Sequence, residues 1–343
     1  MNPEPLLSVQ NLSIRFETDD GAIDAVREIS LDLQAGSSLA IVGESGSGKS
    51  VTALALTRLL PEPPARYSSG SILWKGRNVL EMPPKELRAI RGGGIAYIFQ
   101  EPSTSLNPVF TIRSQIAEAI KLHRPEVTDV DAEVVKWLDA VGIVDPAQRM
   151  RDYPHQLSGG MQQRAMIAMA LSCQPDLLVA DEPTTALDVT IQAQILAELR
   201  DLRARLGMAV ILITHNFAII RGLCDHVAVM FRGRIVEYGP AAEVLANPQH
   251  PYTRALITVV PKRDPREQTT PQILTGETPN PVRVPPGCRF HPRCPIAEPR
   301  CSEVDPSLQR PREEAAPDHR AACIVTAPGP SADEVGPGGR GTA

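Results

Sequence analysis

Hydrophobic and polar positions alternate from Leu6 to Glu17, which predicts a strand. After an Asp19-Asp20-Gly21 turn they alternate again near Ile23 to Leu33, so the two strands read as an antiparallel β edge. The pattern then changes. Leu39–Val42, Ile95–Phe99, Leu177–Ala180 and Ala209–Thr214 are short apolar runs, as expected of strands covered on both faces. Helical spacing fills the intervals, at Val51–Leu60, Ile116–Leu122, Asp129–Val141 and Val189–Leu206. Met161–Cys173 is apolar on nearly every side and predicts a buried helix, opened by the tight turn Leu157-Ser158-Gly159-Gly160. Residues 61–70 read as a Pro-rich loop before a strand at Gly70–Trp74, and Val227–Phe231 with Ile235–Tyr238 as a hairpin leading to a short helix from 241. Strands alternating with helices imply an α/β fold with a parallel core sheet. Past Pro261 the periodicity disappears, giving an extended linker over 262–280 and, from Ala327, a tail too poor in apolar residues to order.

Composition narrows the function class. A net charge of −5 and the lack of a Lys/Arg tract leave no general attraction to nucleic acid. No apolar run approaches the length that crosses a bilayer, and Met-Asn-Pro-Glu-Pro is no secretory signal, so the expected location is the cytoplasm.

The chemistry lies in two stretches. Gly43-Glu44-Ser45-Gly46-Ser47-Gly48-Lys49-Ser50 fits G-x-x-x-x-G-K-S between an apolar strand and a helix. Its glycines let backbone N–H groups wrap phosphates, Lys49 would reach the β and γ oxygens, and the Ser50 hydroxyl would bind Mg²⁺. Downstream, Leu177–Ala180 ends in Asp181-Glu182, placing two carboxylates where ligands gather in open α/β sheets. The Ser158-Gly159-Gly160 helix start is a second anion site. A triphosphate, Mg²⁺ and a general base are what this set calls for.

Phosphate loop, Leu-Ser-Gly-Gly turn and acidic strand in this order resemble the ATP-binding cassette family, over about Leu7 to Tyr252. The resemblance implies a P-loop nucleotide-binding domain over 1–258, with an antiparallel β edge, a parallel core sheet and a helical subdomain at about 101–160. ATP would lie on Gly43, Ser45, Gly46, Ser47, Gly48, Lys49, Ser50 and Val51, with Phe16 stacked on adenine. Mg²⁺ would be held by Ser50, Gln100 and Asp181. Glu182 is then the general base, with His215, Gln100 and Lys49 beside it, and Asp188 reaches across a dimer. Ser158, Gly159, Gly160 and Gln162 would act on the ATP of a partner cassette. His155, by contrast, reads as structural.

Glu101–Asn107 with Pro108-Val109-Phe110, and Asn247–Thr253, resemble the oligopeptide/dipeptide/nickel importer branch of the family. That branch implies two membrane permease subunits, a second non-identical ATPase, an extracytoplasmic peptide-binding protein and a place on the cytoplasmic face of the membrane. Leu106 and Val109 are either subdomain core or part of a groove for a membrane subunit. Nickel, opine or antimicrobial-peptide cargo are alternatives to peptide. A soluble cassette ATPase of translation or DNA repair is the alternative from another class, disfavoured by a single phosphate loop and no heptad run.

Cys173 and Cys224 sit in apolar segments and read as core. Cys288, Cys294, Cys301 and Cys323 cluster instead, spaced C-x5-C-x6-C-x21-C, in a loop-rich stretch with little core of its own. Residues 259–326 therefore form a Pro-rich linker and a Cys-rich extension, before a tail at 327–343. Four thiolates suit zinc or a [4Fe–4S] cluster, with His291 a stray ligand candidate. The absence of tight C-x2-4-C pairs and the resemblance both favour the cluster.

Overall fold

The computed structural model describes residues 4–184, 189–258, 282, 284–311 and 316–327. The chain opens with β1 (Leu7–Thr18), β2 (Gly21–Leu33) and β3 (Ser38–Val42), then α1 (Lys49–Ala55), β4 (Ala65–Trp74), β5 (Arg77–Asn78), α2 (Pro84–Ile90) and β6 (Ile95–Ile98). Helices follow: α3 (Pro102–Ser105), α4 (Ile112–His123), α5 (Val130–Ala140), α6 (Pro146–Arg149) and α7 (Gly159–Ser172). The remainder is β7 (Leu177–Asp181), α8 (Val189–Leu206), β8 (Ala209–Thr214), β9 (His226–Phe231), β10 (Arg234–Pro240), α9 (Ala241–Ala246), α10 (Pro251–Thr258) and β11 (Arg320–Ala321).

Among the described residues the strands form two sheets. One is antiparallel, in the order β2-β1-β4-β5. The other runs β11-β10-β9-β3-β8-β7-β6; β9, β3, β8, β7 and β6 are mutually parallel, and β10 and β11 add an antiparallel edge. The uniform apolarity of the parallel strands now has its cause. Along β3, Ala40 and Val42 face the core shared with α4, α5, α7 and α8, while Leu39 and Ile41 face the core shared with α1 and the antiparallel sheet. Both faces are dry, so period-two alternation is lost.

The expected loop over 61–70 is shorter than the sequence suggested. β4 starts at Ala65, where Phe16 pairs with Ala65 and Ile14 with Tyr67. Arg66 to Gly70 is polar and largely exposed, so only pairing with β1, not periodicity, makes it a strand. Leu106 and Val109 divide: Leu106 is 2 % exposed and belongs to the core, whereas Val109 is 71 % exposed beside Phe110.

Helix α7 is buried on most sides, as its composition requires; Ala165, Met166, Ile167, Ala168 and Leu171 are all inside. Burying each of Met166, Ile167 and Leu171 contributes about 1.5–3 kcal/mol. Ser158 caps the helix by accepting from the Met161 N–H. Cys173 and Cys224 are core residues, with thiols pushed up by burial to about 11 and about 12.

Candidate active site

Four parallel strands end at one edge of the sheet, and each delivers part of the site. β3 runs into the phosphate loop, β7 ends at Asp181, β6 leads to Gln100 and β8 to His215. Two glycines set the loop's path. A Cβ at Gly43 would lie 2.2 Å from the Met230 carbonyl oxygen. At Gly48 (φ +105°) it would lie 2.5 Å from the Ala25 carbonyl oxygen. Only glycine lets the loop pass so close to the backbone of β9 and β2.

Lys49, 6 % exposed, donates from Nζ to the carbonyls of Gly43 (2.8 Å) and Glu44 (2.9 Å). Burial pushes its ammonium down, while Glu182, Asp181 and Glu44 pull the other way. Asp181 is raised by burial, against a hydrogen bond from the Ser50 hydroxyl; Glu182 raises it further. Glu182 itself sits at φ +46°, an uncommon conformation for a side-chain-bearing residue, with its N–H donating to the Ile213 carbonyl (2.9 Å). That turn aims the carboxylate along the loop. Gln100 Nε2 donates to Oε2 (3.1 Å), and His215 Nδ1 lies 3.0 Å from Oε1.

These side chains and Ser45, Gly46, Gly48, Ser50 and Val51 line a cavity of about 380 Å³. A larger cleft of about 990 Å³ lies elsewhere, between β1–β2 and residues 306–308, 318 and 320; Asp32, His226 and Arg320 line it, with nothing from the phosphate loop or the end of β7. Chemistry, not size, picks out the smaller one.

Not every expected residue is at the cavity. Phe16 is half-buried and packs against the core beneath the antiparallel sheet, away from the cavity lining. The Ser47 hydroxyl is buried without a partner, and Gly43 supports the loop from beneath. Ser158, Gly159, Gly160 and Gln162 do not line the cavity either. Gln162 Nε2 donates to the carbonyls of Pro154 (2.9 Å) and Leu157 (3.2 Å), tying the turn together. Asp188 lies outside the described residues. His155 stacks on Tyr153 with ring centroids 5.7 Å apart.

One set of contacts escaped the sequence. Glu237, fully buried on β10, accepts from the N–H groups of Gln249 (2.6 Å) and His250 (2.9 Å) and pairs with His319 Nε2 (2.7 Å). Burial pushes the His250 imidazole down to about 4, and its Nδ1 accepts from the Tyr252 N–H (3.1 Å), which leaves the ring proton on Nε2. The Tyr252 hydroxyl accepts from the Glu44 N–H of the phosphate loop (2.8 Å). From the described segment 284–311, Arg293 grips the Glu44 carboxylate with both terminal nitrogens, at 2.9 and 3.2 Å. No periodicity marks these positions; a His-Pro-Tyr string between prolines and an Arg beside a Cys carry only a compositional hint.

The four clustered cysteines line one small cavity with His250, Phe290 and His291. Burial raises the Cys288 thiol to about 11 and raises Cys294 as well, with the other thiols adding to both shifts. His291 Nδ1 lies 2.8 Å from the Cys288 carbonyl oxygen. Among the described residues no group of three or more His, Cys, Asp or Glu side chains is placed to hold a metal ion, so neither the zinc nor the [4Fe–4S] expectation draws support from that arrangement.

Comparison with known proteins agrees with this geometry. The family described as ABC transporter matches residues 26–185, and the oligopeptide/dipeptide transporter C-terminal region matches residues 236–301. A probable peptide ABC transporter ATP-binding protein of Sinorhizobium fredii is 47 % identical over 93 % of this chain and 94 % of its own. An oligopeptide transport ATP-binding protein of Escherichia coli is 46 % identical over 94 % and 93 %, and a dipeptide transport ATP-binding protein of Bacillus subtilis 46 % over 88 % and 90 %. In fold, the chain matches an ATP-binding cassette solved as a dimer with ADP and phosphate, at a TM-score of 0.62 and 24 % identity over 68 % of this chain and 98 % of that one. A Clostridium perfringens chain that is part of an ABC transporter complex gives 0.61 at 28 %, over 71 % and 92 %. A phosphate loop at the strand ends, two family regions in tandem and near-end-to-end likeness lead to one place: the chain belongs to the ATP-binding proteins of the oligopeptide and dipeptide ABC transporters.

Proposed function

We propose that the chain hydrolyses Mg-ATP to power uptake of oligopeptides or dipeptides through separate membrane subunits. One observation carries this reading: the Glu182 carboxylate, held at one oxygen by Gln100 and beside His215 at the other, sits at the mouth of the phosphate loop. Lys49 exchanges its two carbonyl partners for the β and γ phosphate oxygens. Ser50, Asp181 and Gln100 would hold Mg²⁺, which supplies neutralisation of charge on the transferred phosphoryl group. The Ser50–Asp181 hydrogen bond supports that fit, since it puts a hydroxyl and a carboxylate together beside the loop. Glu182 accepts a proton from the attacking water, and Gln100 and His215 keep its oxygens on the line of attack.

The site is completed by a second cassette. Ser158, Gly159 and Gly160 stand away from this chain's cavity at a helix start with open space around Gly159, which suits capture of the γ-phosphate on a partner subunit. A non-identical ATPase is the partner we favour, with Asp188 at the seam. Phe99, Val109 and Phe110, 42 %, 71 % and 52 % exposed, suit docking of a permease loop near α3 and α4. No helix among the described residues is long and apolar enough to cross a membrane, so attachment to the cytoplasmic face would run through such permeases. Peptide cargo rests on the names of the relatives and on the match at 236–301. The test is ATPase turnover in vesicles carrying the two permeases and the paired ATPase. Peptide-loaded binding protein should raise the rate severalfold; stimulation by nickel alone, or by none of these, would overturn the peptide reading.

Cys288, Cys294, Cys301 and Cys323 fit a [4Fe–4S] cluster in donor kind and number, and their shared cavity supports it. The Cys288 and Cys294 thiols, raised by burial, must lose their protons to such a cluster. Anaerobically purified protein should be brown and carry about four iron atoms per chain. A colourless preparation would refute the assignment.

A further inference from the structure

Glu44 is the one phosphate-loop residue held at three points at once. Its carbonyl accepts from Lys49 (2.9 Å) and from the Ser47 N–H within the loop (3.2 Å), its N–H donates to Tyr252 (2.8 Å) and its carboxylate is gripped by Arg293. The last two partners come from outside the loop and its neighbouring strands: Tyr252 from α10, Arg293 from the segment 284–311. Both are firmly seated. Tyr252 is fully buried, with its ring centroid 4.7 Å from that of Phe231 and 5.4 Å from that of Phe290. The Arg293 side chain is 7 % exposed, against 30 % for Glu44.

We infer that Tyr252 and Arg293 are positioning residues for ATP binding, acting through Glu44. The physical argument has two parts. In the unliganded chain Lys49 anchors the loop by its bonds to Gly43 and Glu44, but Lys49 must give up those carbonyls to reach a phosphate. The loop then keeps its shape through the Tyr252 and Arg293 contacts, which need not change when nucleotide arrives. Spending the Glu44 N–H on Tyr252 also turns that peptide away from the cavity, which Glu44 does not line, while Ser45, Gly46 and Gly48 do line it. The second part is charge. A carboxylate inside a loop that must bind a triphosphate works against binding; the fork of Arg293 neutralises it from behind. Arg232, whose guanidinium is pushed down by burial and by Arg293 but raised by Glu44, adds positive charge at the same place.

The test is equilibrium binding of a non-hydrolysable Mg-ATP analogue to the full chain, with turnover measured beside it. Arg293→Ala should weaken binding roughly tenfold, the scale of one surplus negative charge that is partly screened and not in direct contact with the phosphates. Arg293→Lys, a point charge without the fork, should recover part of that loss. In a Glu44→Gln background the same Arg293→Ala change should cost less than about threefold, because the charge it uncovers is gone. Tyr252→Phe deletes one hydroxyl, keeps the packing, and should raise the KM for ATP while leaving kcat within about twofold. An unchanged affinity in Arg293→Ala, or an equal loss with and without the Glu44 carboxylate, would overturn the inference. It rests on the ATPase reading, yet the two fail differently. A wild-type chain that binds no nucleotide sinks both; wild-type binding that Arg293→Ala leaves intact sinks only this one.

Discussion

Glu182→Gln should bind Mg-ATP nearly as tightly as the native chain and turn it over about 10²–10⁴ times more slowly, the range that a positioned general base contributes. The geometry explains why the effect falls on turnover. Glutamine has the same shape, keeps the N–H bond to the Ile213 carbonyl and can still meet Gln100 and His215, so the left-handed turn at φ +46° survives. It cannot take a proton from water. Because the γ-phosphate then stays in place, the closed pair of cassettes should persist, visible as an ATP-dependent dimer by size-exclusion chromatography with the partner ATPase. Single-turnover kinetics decide the matter: a rate within tenfold of the native one would remove Glu182 from the role of base.

Lys49→Met should abolish tight nucleotide binding, with the Kd for Mg-ATP raised at least about a hundredfold, as expected when a charge-assisted contact to phosphate is lost from a buried site. Lys49 is the loop's own cation, buried and facing Asp181 and Glu182. Without it two carboxylates confront the incoming phosphates. Methionine fills the space of the stem, so the fold should hold and the thermal midpoint should move little, although the Gly43 and Glu44 carbonyls lose a shared donor. Titration with a fluorescent ATP analogue checks this. Affinity within tenfold of the native value would mean that the loop's N–H groups alone capture the phosphates.

The two variants separate holding from cutting, and the positions behind them differ in how they were legible. Gly43, Gly48, Lys49 and Ser50 are neighbours in the chain, and their spacing is the phosphate loop, so local order sufficed. Gln100, Glu182 and His215 are scattered over more than a hundred residues. Glu182 is legible as a carboxylate ending an apolar strand, Gln100 and His215 only through family resemblance, and the parallel order of β6, β7 and β8 is what brings the three to one edge. Phe16 shows the limit: the resemblance makes it the platform for adenine, and the half-buried ring packs in part against the core beneath the antiparallel sheet.

The sequence by itself determined the classes of element, the α/β architecture and the chemistry of the phosphate loop, because apolar periodicity and glycine spacing are short-range properties that backbone geometry converts directly into structure. What only the tertiary structure decided are the contacts that join distant segments. Polar residues from Arg66 to Gly70 become a strand through pairing with β1, Leu106 is enclosed while Val109 is left bare, and the buried Glu237 gathers the backbone of Gln249 and His250. Tyr252 and Arg293 meet Glu44 across 208 and 249 residues of sequence. Such meetings depend on burial, which makes unpaired polar groups costly enough to demand partners, and no local pattern names the partner that folding supplies.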